Sequence, residues 1–202
     1  MSEEDNNKKN KITLVLVVVA FLSPVVLSWV VFNYTDIGEG RGTSNKGDLI
    51  TPVRPIDNLA MIDPMNADRK ETLHGKWSMV FVTDTCADVC MDNVYRMRQI
   101  HMMMDKHSLR VQKVLLLTAQ SPDELTSHFT DFAGQQVVNP DLVDVEILLD
   151  KFRLEASDSP LTNSRIYIVD PLGNLMMKFE SDANPRDIMT DLKKLLRASR
   201  IG

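Results

Sequence analysis

The chain has 202 residues, of which 44% are hydrophobic and 25% are charged, and this size fits one ordinary domain with an appendage. Its formal net charge of -5 gives no reason to expect nucleic acid as a partner. The only two cysteines lie in TDTCADVCMDN, residues 83–93. What this pair does depends first on the redox compartment that it occupies.

The appendage lies near the amino terminus. The segment ITLVLVVVAFLSPVVLSWVVF, from Ile12 to Phe32, carries no charge. As a helix it would be about 31 Å long, close to the thickness of a bilayer core. We therefore predict a cytoplasmic tail over residues 1–11 and a transmembrane helix over residues 12–34. A cleavable signal peptide is the competing interpretation, although the apolar run is long and no clear small-x-small cleavage site follows it.

The basic residues around this span predict its orientation. Lys8, Lys9 and Lys11 precede the span closely, whereas Arg41 and Lys46 lie further out on its other side. The positive-inside rule therefore favours a cytoplasmic amino terminus. We expect a single-pass protein of the bacterial inner membrane whose carboxyl-terminal domain lies in the periplasm, an oxidising space.

Residues 35–55 are rich in glycine, proline and polar residues, which predicts a linker that leads into an edge hairpin. We expect the folded domain over residues 56–202. The apolar run KWSMVFVT predicts a buried strand, and helical spacing of apolar residues predicts a helix over Met91–Lys106. The run RVQKVLLLT predicts a second strand, and Ser121 as N-cap with Pro122 begins a predicted helix in SPDELTSHFTDF.

The last third of the chain predicts three further features. NPDLVDVEILLDKFRLEA predicts a helix, although VEILL also fits a strand. RIYIVD, PLG and NLMMKF predict a hairpin, and Asn184 with Pro185 begins a final helix. Its expected core face is Ile188, Met189, Leu192, Leu195 and Leu196. The order β-α-β-α-(α)-β-β-α predicts an α/β, thioredoxin-like mixed sheet flanked by helices, with the cysteines just past the carboxyl end of the first strand.

A helix amino terminus stabilises thiolates, which are nucleophiles in disulfide exchange and soft ligands for Cu(I). Asp84, Asp88 and Asp92 oppose a bare thiolate and favour a cation. If the segment were helical throughout, the Cα atoms of Cys86 and Cys90 would be about 6 Å apart, so a bridge would need a local adjustment. An inert structural disulfide is the alternative to a functional pair.

GKWSMVFVTDTCADVC and IYIVDPLGNLM resemble the Sco/SenC family, membrane-anchored thioredoxin-like copper chaperones for cytochrome oxidase assembly. The resemblance covers roughly residues 70–180. Cys86, Asp88 and Cys90 match the family pattern Thr-x-Cys-Pro-Asp-Val-Cys-Pro, whereas Ala87 and Met91 replace its two prolines. The end of the chain, YIVDPLGNLMMKF…LLRASRIG, is similar to a small group of transmembrane proteins of bacterial cytochrome c oxidase gene clusters.

The resemblance implies that Cys86 and Cys90 form a redox pair and bind copper. It also implies that the partners are cytochrome c oxidase subunits or their assembly factors. The family's third copper ligand is a histidine just before the first strand of the closing hairpin. Thr162 or Asn163 occupies that place here, and neither is a good copper ligand.

Other side chains offer partial substitutes for this histidine. His74 precedes the first strand and so lies at the opposite end of the sheet, and His101 and His107 are too far along their helix. His128 is geometrically open. In HMMM, residues 101–104, the methionines point in different directions, which favours core filling. Met91 is nearer and could supply a thioether.

Three functions remain open. The first is an accessory factor for haem-copper oxidase assembly that handles copper or the thiols of a copper-site partner. The second is a periplasmic thiol-disulfide reductase, although no proline directly precedes RIYIV, where thioredoxins keep a cis-proline, and Pro160 lies five residues too early. The third is a non-catalytic thioredoxin-like scaffold.

Overall fold

The structure is a computed structural model that describes residues 3–34, 44–125 and 132–201. It divides into two units, Met1–Ser44 and Asn45–Gly202. The first unit contains helix α1 (Glu3–Tyr34), with Pro24 inside it. Within α1, Lys11–Val31 is long and apolar enough to cross a membrane, and none of it is buried in the protein. The predicted apolar helix is therefore present, with a length that suits both a membrane anchor and a signal sequence.

One mixed sheet organises the described part of the second unit. Its strands are β1 (Asp48–Pro55), β2 (Ala60–Asp63), β3 (Asn66–Thr72), β4 (Trp77–Thr83), β5 (Val111–Leu117), β6 (Gln135–Val138), β7 (Ile166–Val169) and β8 (Asn174–Phe179). They are ordered β1-β8-β7-β4-β5-β6-β2-β3. β4, β5 and β6 are parallel, and the remaining pairings are antiparallel.

Helices cover both faces of this sheet. They are α2 (Asp88–Met103), α3 (Val145–Phe152) and α4 (Pro185–Ala198). Side chains alternate along β4: Met79 and Phe81 pack with α2 and α4, whereas Val80 and Val82 pack with α3. Because both faces are covered, all residues of β4 and β5 are buried, which explains their continuous apolar runs. The predicted α/β mixed sheet with flanking helices is confirmed.

The edges of the sheet differ from the prediction. Residues 48–55, expected as part of a linker, form β1, which pairs with β8. The chain is held just before β1, because the backbone N–H groups of Lys46 and Gly47 donate hydrogen bonds to the buried carboxylate of Asp191 on α4. The described domain therefore includes residues before the expected boundary at 56. β2 and β3 form the hairpin at the opposite edge of the sheet.

The helices follow the predicted pattern with shifted ends. The helix expected over Met91–Lys106 is α2, and a 3-10 segment, Asp105–Arg110, follows it. In SPDELTSHFTDF the structure shows a 3-10 turn, Pro122–Leu125, and residues 126–131 lie outside the described part of the chain. VEILL is helical in α3, because the Asp144 carboxylate accepts a hydrogen bond from the Ile147 N–H group at 3.1 Å.

The closing elements confirm their sequence signals. β7 and β8 form an antiparallel hairpin whose turn has Gly173 at φ +90°. α4 begins with Asn184 as N-cap and Pro185 in its first turn. Of its expected core residues, Ile188, Leu192 and Leu196 are buried, and Met189 and Leu195 are half-buried against the same core.

Candidate functional site

The cysteine loop lies between the end of β4 and the start of α2, at the carboxyl ends of the parallel strands. The ladder between β4 and β5 continues into the loop, since the N–H groups of Thr118 and Ala119 donate to the carbonyl oxygens of Thr83 and Asp84. The N–H group of Cys86 donates to the Oε1 atom of Gln120 at 2.7 Å. Backbone pairing and this side chain together fix the loop against the sheet.

Cys86 and Cys90 form a disulfide, with their Cα atoms 4.9 Å apart. This distance is shorter than the helical spacing that the sequence predicts. The reason is that α2 begins only at Asp88, and Ala87 is its N-cap with extended backbone, φ -97° and ψ -164°. The extended residue supplies the local adjustment that a Cys-x-x-x-Cys bridge requires.

The two sulfurs differ in exposure. Cys90 lies on the core face of α2 and is only 2% exposed, whereas Cys86 is half-buried at the edge of the same apolar cluster. Disulfide exchange requires access of an incoming thiolate to the sulfur that it attacks. Cys86 is therefore the sulfur that another molecule can reach, and Cys90 is the one behind it.

A groove of about 480 Å³ lies beside the pair. One wall of the groove is formed by β4, the cysteine loop and the start of α2, and the other wall by the segment before β7. Among the described residues that line it, two are acidic and none is basic, which disfavours bare thiolates and favours a cation. The lining residues are Phe81, Thr83, Asp84, Thr85, Ala87, Asp88, Val89, Cys90, Leu161, Thr162 and Ser164.

An ion-pair network fixes the wall opposite the cysteines. The Arg165 guanidinium binds both carboxylate oxygens of Asp158, at 2.7 and 2.8 Å, and the Glu180 carboxylate at 2.7 Å. Burial, the largest single effect, opposes the charge of Arg165, but the hydrogen bond to Glu180 and the negative charges of Glu180 and Asp158 together raise the pKa of the guanidinium. Burial alone would raise the pKa of Glu180, but hydrogen bonds from Arg165 and Lys178 lower it. The network thus connects Asp158, in the loop before β7, to Glu180, directly after β8.

Thr162 and Asn163, the two residues expected in place of the family histidine, make local hydrogen bonds. Thr162 lines the groove, and its hydroxyl donates to the carbonyl oxygen of Ser159 at 3.3 Å. The Asn163 amide instead donates to the Asp158 carboxylate. Of these two residues, Thr162 lines the groove.

The described histidines are engaged elsewhere. The Nε2 atom of His74 lies 3.2 Å from the carbonyl oxygen of Ile56, and that of His101 lies 3.0 and 3.1 Å from the carbonyl oxygens of Ser108 and Val111. His107 belongs to the 3-10 segment after α2. His128, the candidate that sequence reasoning left open, lies outside the described residues.

His101 also has a perturbed ionisation. Burial lowers its pKa below the ordinary value, and the positive charge of Lys113 lowers it further, whereas the carbonyl groups of Val111 and Ser108 act in the opposite direction. The neutral ring is therefore the form that the fold favours, which suits a structural role at the carboxyl end of α2.

The methionines separate into core residues and one residue at the site. Met104 is fully buried, while Met102 and Met103 are exposed, so HMMM does not converge on a common point. The Sδ atom of Met91, by contrast, lies 3.8 Å from the Sγ atom of Cys86. Within the described residues, no group of three or more histidine, cysteine, aspartate or glutamate side chains is arranged to hold a metal ion.

Sequence reasoning missed three residues of the site. Gln120 follows the carboxyl end of β5, and its position beside the end of a neighbouring parallel strand was the available signal. Arg165 and Asp158 carried no such signal, because an ion pair across a loop is decided by tertiary structure.

Comparison with known proteins identifies the family. Residues 77–199 match the family described as the transmembrane-like, thioredoxin-like, C-terminal domain. The chain belongs to this family. The match covers the sheet from β4, the cysteine loop and the closing hairpin through α4, so the thioredoxin-like fold class is confirmed for this family member. A comparison with curated proteins finds no match.

Solved structures with the same fold include Sco proteins. ScoI from Bradyrhizobium japonicum with copper bound has a TM-score of 0.52 and 20% identity, covering 68% of this chain and 96% of that one. BsSco is described as a member of the Sco family of cytochrome c oxidase assembly proteins with a disulfide switch. It has a TM-score of 0.53 and 11% identity, and the match covers 71% of this chain and 94% of BsSco. A thiol:disulfide interchange protein from Bacteroides sp. has a TM-score of 0.51 and 14% identity, and the match covers 73% of this chain and 91% of that protein. At these identities the similarity shows the fold.

Proposed function

We propose that this protein is a membrane-anchored accessory factor for the assembly of cytochrome c oxidase. In this proposal Cys86 and Cys90 handle copper or the thiols of a copper-site partner, which is either an oxidase subunit or one of its assembly factors. The observation that carries the proposal is the bridged pair at the mouth of the sheet, where Cys86 is half-buried and Cys90, more deeply buried, lines the adjacent groove. Family membership and the fold shared with Sco proteins support the context.

The location follows from α1 in this proposal. Residues 12–34 anchor the chain in the bacterial inner membrane, the tail over residues 1–11 is cytoplasmic, and the cysteine domain lies in the periplasm. The lysines before the span support this orientation. A topology reporter fused to the carboxyl terminus tests it: periplasmic activity is expected, and cytoplasmic activity would remove the oxidising compartment that the proposal requires.

The chemistry is thiol-disulfide exchange. In the reduced protein the Cys86 thiolate attacks a disulfide of the partner, which forms a mixed disulfide and releases one partner thiolate. The Cys90 thiolate then attacks the Sγ atom of Cys86, which releases the second partner thiolate and restores the Cys86–Cys90 bridge. The partner gains two electrons and is ready for metal binding. A dithiol donor protein of the same compartment supplies the two electrons that reduce the bridge again.

The described residues across the groove do not supply the third ligand with which the Sco pattern holds copper. By the resemblance, Thr162 or Asn163 stands where that pattern has histidine, and neither a neutral hydroxyl nor an amide is a good ligand for Cu(I). The same site also serves the second candidate, a general periplasmic thiol-disulfide reductase, which the fold of the Bacteroides interchange protein supports. A reductase of that kind would act on many substrates and would not be selective for oxidase copper sites.

The test is oxidase activity in cells that lack the protein and carry it back on a plasmid. We expect the wild-type chain to restore activity, and Cys86→Ser and Cys90→Ser single and double variants to fail, with all chains at equal abundance in the membrane. Restoration by the double variant would contradict thiol chemistry and favour the scaffold alternative. Matched periplasmic reductase assays on unrelated disulfide substrates separate the selective factor from the general reductase.

A further inference from the structure

Met91 lies against the cysteine pair in a position suited to a metal ligand. Its Sδ atom is 3.8 Å from the Sγ atom of Cys86. Met91 follows Cys90 directly in the first turn of α2, where it is half-buried beside the same apolar cluster. A thioether therefore reaches the cysteines from their own helix, whereas the family histidine would come from the loop across the groove.

We propose that Cys86, Cys90 and Met91 form a three-sulfur site for Cu(I) when the disulfide is reduced. The inference rests on the proposed function, because it names the copper cargo and the ligand that replaces the missing histidine. Thiolate and thioether sulfurs are soft ligands that select Cu(I). Thr162, on the opposite wall, offers only a hydroxyl group, which is already hydrogen-bonded to a backbone carbonyl.

The distances fit such a site. Thiolate sulfurs bind metals of this size at about 2.3 Å, so three sulfurs at the corners of a trigonal plane lie about 4.0 Å from one another. The Cys86 and Met91 sulfurs are already 3.8 Å apart in the bridged state. The Cα atoms of the two cysteines are 4.9 Å apart, so both side chains reach one metal ion after their sulfurs separate.

Binding is a ligand exchange without electron transfer. A dithiol donor first reduces the bridge, giving two thiols for two electrons and two protons. Copper then enters and remains as Cu(I), while the two thiols release their protons to solvent. Because the bridged form has no thiolate, the disulfide and copper exclude each other. The groove carboxylates of Asp84 and Asp88 disfavour two bare thiolates more than the copper complex, whose charge is one unit less negative.

A packing role for Met91 predicts a different pattern of mutational effects. Met91→Leu keeps an apolar side chain of similar volume and removes only the sulfur, and folded proteins usually tolerate such volume-conserving exchanges. Met97 is a matched control, because it lies on the same helix and is fully buried in the core. If sulfur at position 91 has no role in metal binding, the two leucine variants should bind copper alike.

The experiment uses the full chain in detergent micelles, reduced with a phosphine without oxygen. Cu(I) is titrated against a chromophoric chelator of known affinity. We expect one Cu(I) per wild-type chain, an affinity at least tenfold weaker for Met91→Leu, and an affinity within twofold of wild type for Met97→Leu. X-ray absorption of the copper-loaded wild-type chain should show three sulfurs, and that of Met91→Leu should show two.

The outcomes separate this inference from the proposed function. Equal affinities of the two leucine variants, or only two sulfurs in the wild-type spectrum, overturn the assignment of Met91. If Cys86→Ser nevertheless loses Cu(I), copper handling by the cysteines stands without Met91. If Cys86→Ser binds Cu(I) as tightly as wild type, the three-sulfur site is wrong, while thiol exchange is decided independently by the oxidase assay. The wild-type absorption spectrum gives an answer even if a variant fails to fold.

Discussion

Reduction of the Cys86–Cys90 bridge should lower the stability of the folded domain only modestly. The bridge joins residues four apart, so it closes a loop of five residues. In the chain-entropy model such a loop lowers the entropy of the unfolded chain by about 7 cal/mol/K, or about 2 kcal/mol at 25 °C. For a domain of this size, 2 kcal/mol corresponds to a decrease of about 4–8 °C in the melting temperature.

The coupling between the bridge and folding also determines the reduction potential of the pair. If the bridge stabilises the folded domain by about 2 kcal/mol, folding stabilises the bridge equally, and the reduction potential is about 45 mV lower than in the unfolded chain. A shift of this size leaves a pair that a dithiol donor can reduce. A structural staple would need a much larger linkage between folding and the bridge.

The assay is thermal unfolding of the full chain in detergent, with and without a phosphine, followed by near-ultraviolet circular dichroism. Trp77 is buried at the start of β4 and reports on the domain. The Cys86→Ser/Cys90→Ser double variant is the control, and its melting temperature should not respond to reductant. Unfolding of the reduced protein at room temperature would refute the reasoning, because a cycling pair requires a folded reduced state.

Three further changes test the framework around the site. Arg165→Met should cost about 3 kcal/mol in denaturant unfolding, because it removes the cation from the largely buried Asp158 carboxylate, which among the described residues keeps only the hydrogen bonds from Asn163 and Leu154. A cost below about 1 kcal/mol by that measurement would mean that the ion-pair network is unimportant for stability. The free energy of unfolding of the wild-type chain should decrease as the pH falls through about 6.5, because His101 takes up a proton at a higher pH in the unfolded chain than in the folded chain. The urea midpoint of His101→Gln should depend less on pH over this range. An unchanged slope would contradict the assigned environment of the ring. Gly173→Ala should destabilise the closing hairpin by about 1–3 kcal/mol, because φ is +90° and the added Cβ atom would approach the carbonyl oxygen of Ile56 to 2.7 Å. An unchanged melting temperature would show that the turn relaxes freely.

The central strands and the closing elements could be predicted because local sequence and tertiary environment agree. β4 and β5 are buried on both faces, so burial alone dictates their apolar runs. Asn184 and Pro185 specify the start of α4 through local hydrogen bonding and backbone geometry. These signals need no knowledge of the rest of the chain.

The edge strands could not be predicted because their stability comes from partners distant in sequence. β1 contains proline and polar residues, and only its pairing with β8 makes it a strand. β6, an inner strand between β5 and β2, escaped prediction for a related reason: it reads QQVV, yet all four residues are buried, with Gln135 donating to backbone carbonyl oxygens. A buried amide whose N–H groups donate to backbone carbonyl oxygens has the sequence appearance of a surface residue.

The site shows the same division. The sequence located the cysteine pair after a buried strand. It did not specify the extended conformation of Ala87, which brings the two cysteines together, because that conformation depends on where α2 begins. The sequence placed Met91 beside Cys90 but did not define the direction of its sulfur, which is set by packing against the core.

Trapping of a mixed disulfide tests the central claim most directly. In cells that express Cys90→Ser, the Cys86 thiolate can attack a partner disulfide but no resolving thiol releases it. The account predicts a covalent adduct, sensitive to reductant and absent with Cys86→Ser, whose partner peptide carries the copper-site cysteines of a cytochrome c oxidase subunit or of its assembly factor. Adducts that are equally abundant with Cys86→Ser, or that contain only proteins without a role at a copper site, would contradict it.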